Sequence, residues 1–129
     1  MRIFMTRAFE RFARKERLGD RVLRETIERA ERGIVNADLG GHVIKQRVAR
    51  QGEGRSGGYR TVIAFRSHVR AVFLFGFAKN ELANIDAAEL KALRKAATEV
   101  LSWSDKDVSA LLEGGKWTEI KTDGQGLQK

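Results

Sequence analysis

GEGRSGGYRTVIAFRSHVRAVFLFGFAKN, residues 52–80, decides how the rest of the chain is arranged. Two apolar runs, Tyr59–Phe65 and Ala71–Phe77, flank a short polar break at Ser67-His68. Runs of that length, rich in β-branched and aromatic residues around a turn, predict a β-hairpin. In the first, Tyr59, Thr61, Ile63 and Phe65 share one face and Arg60, Val62, Ala64 and Arg66 the other. The second is apolar on both faces, as expected of a central strand covered on both sides. Gly52–Gly58 reads as a basic loop whose glycines let the backbone bend or a partner approach.

Upstream of the hairpin, Arg2–Met5 reads as a short edge strand. Thr6 is placed to cap a helix in which Phe9, Phe12 and Ala13 recur at helical spacing. Leu18-Gly19 breaks it. Asp20 is placed to cap a second helix with Leu23, Ile27 and Ala30 on one side, the pairs Arg21/Glu25 and Arg24/Glu28 outside, and Gly33 just past its end. Ile34–Gly41 reads as a connection. His42–Arg50 has period two, with Val43, Lys45, Arg47 and Ala49 on one face. Downstream, Asp86 and Glu89 form a capping-box pattern, with Ile85 and Leu90 as its hydrophobic staple. A helix follows, then a shorter one from Asp105 to Gly114-Gly115, then a possible last strand at Trp117–Ile120. The expectation is one α+β domain over residues 1–120, with residues 121–129 a flexible tail.

The 129 residues contain no cysteine, so neither disulfides nor thiolate metal sites are available. The longest apolar runs are too short to cross a bilayer, and the N-terminus lacks a cleavable-signal pattern, so a cytoplasmic protein is expected. The formal charge of +8 is concentrated: residues 42–79 carry +7, residues 1–41 carry +3, and residues 80–129 carry −2. A clustered like charge points to an anionic partner, nucleic acid or an acidic protein; the alternative is a solvated surface.

Most site chemistries find no support. His42 and His68 stand 26 positions apart with no carboxylate at ligand spacing. No serine has a convincing base beside it, and Glu53 is the one acid in the basic region. GEGRSGG lacks the spacing of a nucleotide-binding loop. What remains is lysine and arginine at strand ends. Arginine forks grip phosphate oxygens and stabilise a phosphorane, and lysine can carry a proton. RNA supplies its own 2′-hydroxyl nucleophile, so a cofactor-free and metal-free RNA-cleaving site is coherent. The residues alone carry the reading only as far as anion binding.

The GxGxSGGYR run at Gly52–Arg60 and FGFAKNE at Phe75–Glu81, with the upstream DLGGHVIKQRVAR, resemble the RelE-like toxins of type II toxin–antitoxin systems, nearest the phage- and plasmid-associated branch around HigB. The resemblance implies a compact α+β fold: an antiparallel-dominated sheet of about four strands, two N-terminal helices and a C-terminal helix. It implies a ribosome-dependent endoribonuclease, an mRNA interferase that inhibits translation by 2′-hydroxyl attack without metal. Its partners would be a cognate antitoxin and mRNA on the ribosome. Carried over residue by residue, Arg60 matches the phosphate-holding arginine after the family's tyrosine, and Lys79 the cation at the end of the central strand. Lys45 and Arg47 match the basic strand that supplies proton transfer and phosphate binding. Arg50, Arg55 and Tyr59 are expected to grip RNA, Tyr59 alternatively serving as core. For the four cations the alternative is a solvated strand end, or for Arg60 an ion pair with an acid such as Glu81. The late stacking tyrosine of many family members has no counterpart here. Two other functions stay open: a ParE-type toxin acting on DNA gyrase, and a non-catalytic RNA-binding protein of the same fold.

Overall fold

The computed structural model describes residues 1–50, 54–78 and 85–121, and of residues 49, 50 and 54–57 the backbone alone. In chain order the elements are β1 (Arg2–Thr6), α1 (Arg7–Glu16), α2 (Asp20–Glu31), β2 (Ala37–Gly40), β3 (Val43–Arg50), β4 (Gly54–Arg66), β5 (Arg70–Ala78), α3 (Ala87–Ser102), α4 (Asp105–Glu113) and β6 (Trp117–Ile120). The strands form one sheet in the order β2-β3-β4-β5-β1-β6. Only β1 and β5 run parallel; the other neighbours are antiparallel.

The architecture is α+β, and the described residues form six strands and four helices where the resemblance implied about four and three. The helix from Asp105 and the strand at Trp117–Ile120 stand where the residues alone were read to place them. β2 lies within the stretch read as a connection, and β1 is not an edge strand but sits between β5 and β6. Its continuous apolar run, Ile3-Phe4-Met5, is buried on both faces, which is what a strand with helices on either side requires. The glycine-rich stretch also departs from expectation: β4 begins at Gly54, and Arg50 pairs with Gly54.

The sheet divides two cores. Phe9 and Ala13 of α1 and Leu23, Ile27 and Ala30 of α2 pack on one face, against Ile44, Ile63 and Phe73. Ala97, Val100 and Leu101 of α3 and Val108 of α4 pack on the other, against Val43, Val62, Ala64 and Val72. Local signals set the helix ends. Thr6 accepts from the Phe9 amide at 3.1 Å. Asp86 accepts from the Glu89 amide at 2.8 Å while Glu89 accepts from the Asp86 amide at 3.1 Å, completing the expected capping box. Asp20 differs from expectation: Gly19 is the N-cap of α2, and the Asp20 carboxylate accepts instead from the Lys121 amide at 3.2 Å. Among the described residues no helix is long and apolar enough to cross a membrane.

Candidate functional site

The alternation of β3 separates its side chains by function. Ile44, Gln46 and Val48 point toward α1 and α2 and are buried, while Val43 packs on the α3 side. By the strand's period of two, Lys45 and Arg47 share the face of Val43. In β4, Arg60 shares the face of Val62 and Ala64. The register sets Arg47 directly opposite Arg60, and Lys45 opposite Val62. On its other side Arg60 faces Phe77 of β5, which is 7% exposed. Three of the four expected catalytic cations therefore occupy one face at one end of the sheet.

A buried amide holds this end in register. Gln46 is fully buried on the opposite face, and every polar atom of its side chain is matched. Its Nε2 donates to the Ile34 carbonyl at 3.0 Å and the Thr26 carbonyl at 3.2 Å, and its Oε1 accepts from the Asn36 amide at 2.8 Å. Asn36 then accepts from the Arg47 amide at 2.8 Å, and the Arg29 guanidinium donates to the Arg47 carbonyl. The backbone of Arg47 is thus held at both its amide and its carbonyl, beyond the last residues that β2 pairs. The sequence reading passed over Gln46, Asn36 and Arg29. The signal was a lone amide on an otherwise apolar strand face, between Ile44 and Val48.

One nitrogen of the Arg60 guanidinium is left without a partner. Its Nη1 is shielded from solvent and has no hydrogen-bond partner. Burial, and then the charge of Arg47, push its pKa below the ordinary arginine value. Among the described residues no carboxylate forms an ion pair with Lys45, Arg47 or Arg60. Like charges directly opposite on paired strands destabilise a sheet, and an unpartnered buried donor costs about 1–3 kcal/mol. An anion between the two guanidinium groups removes both costs at once.

The remaining expected site residues are placed differently. Lys79 lies outside the described residues; it follows Ala78, which pairs with Tyr59 at the same end of the sheet. Glu81 also lies outside them. The backbones of Arg50 and Arg55 run in β3 and β4, and their side chains fall outside the described set. Tyr59 is core rather than an RNA contact. It is 3% exposed, on the face opposite Arg60, with its ring edge-on to Phe12 at 5.4 Å. Its hydroxyl donates to the Glu16 carboxylate at 2.6 Å. A side chain with its polar tip already bonded below the sheet cannot stack on a nucleotide above it.

A family model described as the RelE toxin of the RelE/RelB toxin–antitoxin system matches residues 1–120. No curated protein matches the sequence.

Proposed function

We infer the function from the premise that this chain belongs to the RelE toxin family, toxins of toxin–antitoxin systems. Its partner is accordingly a cognate antitoxin. We propose that the chain acts as a metal-independent endoribonuclease on messenger RNA at the ribosome, with Arg47 and Arg60 holding the scissile phosphate.

The observation that carries this reading is the unpartnered Nη1 of Arg60, set across the strand pair from Arg47. In the reaction the 2′-oxygen of RNA bonds to the adjacent phosphorus and the bond to the 5′-oxygen breaks. The products are a 2′,3′-cyclic phosphate and a 5′-hydroxyl. Negative charge builds on the phosphorane oxygens, where two preplaced guanidinium groups act most strongly. One proton leaves the 2′-oxygen and one is gained by the 5′-oxygen. Lys45, half-buried on the same face, is the described residue suited to donating to the leaving oxygen. Lys79 is assigned with it, on the resemblance of FGFAKNE to the family pattern. A gyrase-binding toxin would have no use for an unsatisfied guanidinium opposite a second one, so the RNA reading is preferred.

Primer extension on messages from cells producing the toxin without its antitoxin tests this. New 5′ ends are expected with the wild type, and Arg60→Ala should reduce their rate of appearance about 10²- to 10³-fold, the usual effect of losing one donor to a developing oxyanion. Cleavage by Arg47→Ala and Arg60→Ala at the wild-type rate would overturn the assignment.

A further inference from the structure

Beside the cations, on the same face of the sheet, a cleft of about 350 Å³ opens between β5 and the first turns of α3. Phe75, Ile85, Ala92, Leu93 and Ala96 line it, and Glu89 supplies the one charged group among the described residues. This volume sits at the small end of small-molecule sites, which start at about 300 Å³. The register fixes its place relative to Arg60. Phe77 pairs with Arg60 and Phe75 with Val62, and the two phenyl rings are 6.2 Å apart. The cleft wall therefore lies one pleat step, roughly 7 Å, along the strand from the phosphate site. That is within the span of a single nucleotide.

We propose that the cleft takes the base of the nucleotide whose phosphate Arg60 holds, and that Glu89 makes it favour a base with an exocyclic amino group, adenine, cytosine or guanine, over uracil. This rests on the phosphate-binding reading of Arg47 and Arg60. Phe75 gives a half-exposed aromatic surface, and every base has a face that stacks on one. Ala92 and Ala96 leave room for a flat ring. The Glu89 carboxylate has one oxygen committed to the Asp86 amide at 3.1 Å, so the capping box fixes the direction of the group while its second oxygen stays able to accept. A carboxylate is an acceptor only, matching an amino group and not a carbonyl edge. The same charge disfavours the other occupant an apolar cleft suggests, an acidic segment of an inhibitory protein drawn in by the neighbouring cations.

The test is titration of the full chain with 3′-AMP, 3′-CMP, 3′-UMP and inorganic phosphate, followed through the methyl resonances of Ala92 and Ala96. The first two nucleotides should shift these methyls and bind about tenfold more tightly than 3′-UMP, the discrimination expected of one well-placed base contact. Inorganic phosphate should bind without moving them. Glu89→Gln keeps a residue suited to the capping box and should narrow the gap between 3′-AMP and 3′-UMP. Ala92→Trp fills the cleft from an exposed helix position and should bring all three nucleotides to the affinity of phosphate alone. If the nucleotides bind no better than phosphate and Ala92→Trp changes nothing, no base enters the cleft, and the phosphate site stands without it. If phosphate also fails to bind, or binds equally to Arg60→Ala, the parent reading falls and takes the base pocket with it. If Ala92→Trp spares nucleotide affinity but weakens capture of the purified antitoxin, the cleft belongs to a protein partner and the proposal is wrong.

Discussion

The β4–β5 hairpin carries an arginine near each end, on the same face of the sheet, and the two live in opposite circumstances. Arg70 is 8% exposed and fully engaged. Its Nη1 donates to the Val100 carbonyl at 2.8 Å and the Trp103 carbonyl at 2.9 Å, its Nη2 lies 3.6 Å from the Asp105 carboxylate, and its guanidinium sits over the Phe4 ring. It thereby takes up carbonyls left free where α3 ends, where a cation is also favoured by the helix dipole. Ser104 then caps α4, accepting from the Asp107 amide at 3.1 Å. Arg60, at the other end, meets a second arginine and leaves a shielded nitrogen unbonded. Residue type, strand pair and face are shared; only the partners differ. A buried cation with carbonyl partners splices elements together. One whose neighbour is another cation waits for an anion from outside.

The largest expected effect breaks the structural end. Arg70→Ala orphans two carbonyls at the junction of α3 and α4, and should cost about 3 kcal/mol in denaturant unfolding. A loss well under 1 kcal/mol would mean that Arg70 is no more than a surface cation. Next comes Gly76, which supports the functional end. A Cβ there would lie 2.5 Å from Cε2 of Phe12 and 3.1 Å from Cε1 of Phe9. Phe12 in turn packs against Tyr59, the neighbour of Arg60. Gly76→Ala should therefore destabilise by about 1–3 kcal/mol. Hydrogen exchange should accelerate first at Tyr59–Thr61, before Arg66 and Arg70. Uniform acceleration along the hairpin would show that its two ends do not respond separately.

The smallest effect has the opposite sign. The pKa of Arg60 is lowered in the folded state, by burial and then by Arg47. Ionised Arg60 therefore subtracts from stability at every pH below its folded pKa, and the cost is relieved only as pH rises above that value. No working pH reaches it, but a substitution does. Arg60→Met keeps an apolar stem and should raise stability by about 0.5–1 kcal/mol, while removing cleavage.

The sequence revealed most where the determinants are local. The Ser67-His68 turn, the Asp86–Glu89 capping box and the Thr6 cap each rest on a few adjacent residues, and each is present. The end of α1 came at Arg17, which adopts φ 60°, just before Leu18-Gly19. What escaped depends on partners distant in the chain. Ala37–Gly40 has no strand pattern of its own and pairs only because β3 offers an edge. Gly54–Gly58 reads as loop because glycines carry no alternation, yet β4 starts there. For the site, period two placed Lys45 and Arg47 on one face of their strand, and the Tyr59-Arg60 motif marked Arg60. They did not reveal that Arg47 and Arg60 stand directly opposite, since that register is fixed through Gln46 and Asn36. Nor did they settle Tyr59, whose fate depends on Glu16 lying 43 residues away.

The most direct test of the account is a thermal-unfolding comparison of the wild type and Arg60→Met at low ionic strength, each with and without inorganic phosphate. The account predicts that Arg60→Met melts about 2–4 °C higher without phosphate. It also predicts that phosphate raises the melting temperature of the wild type and not of the variant, because an anion that binds only the folded site stabilises by mass action. A variant that melts lower than the wild type, and gains as much from phosphate, would contradict the claim that Arg60 is held unsatisfied for a phosphate.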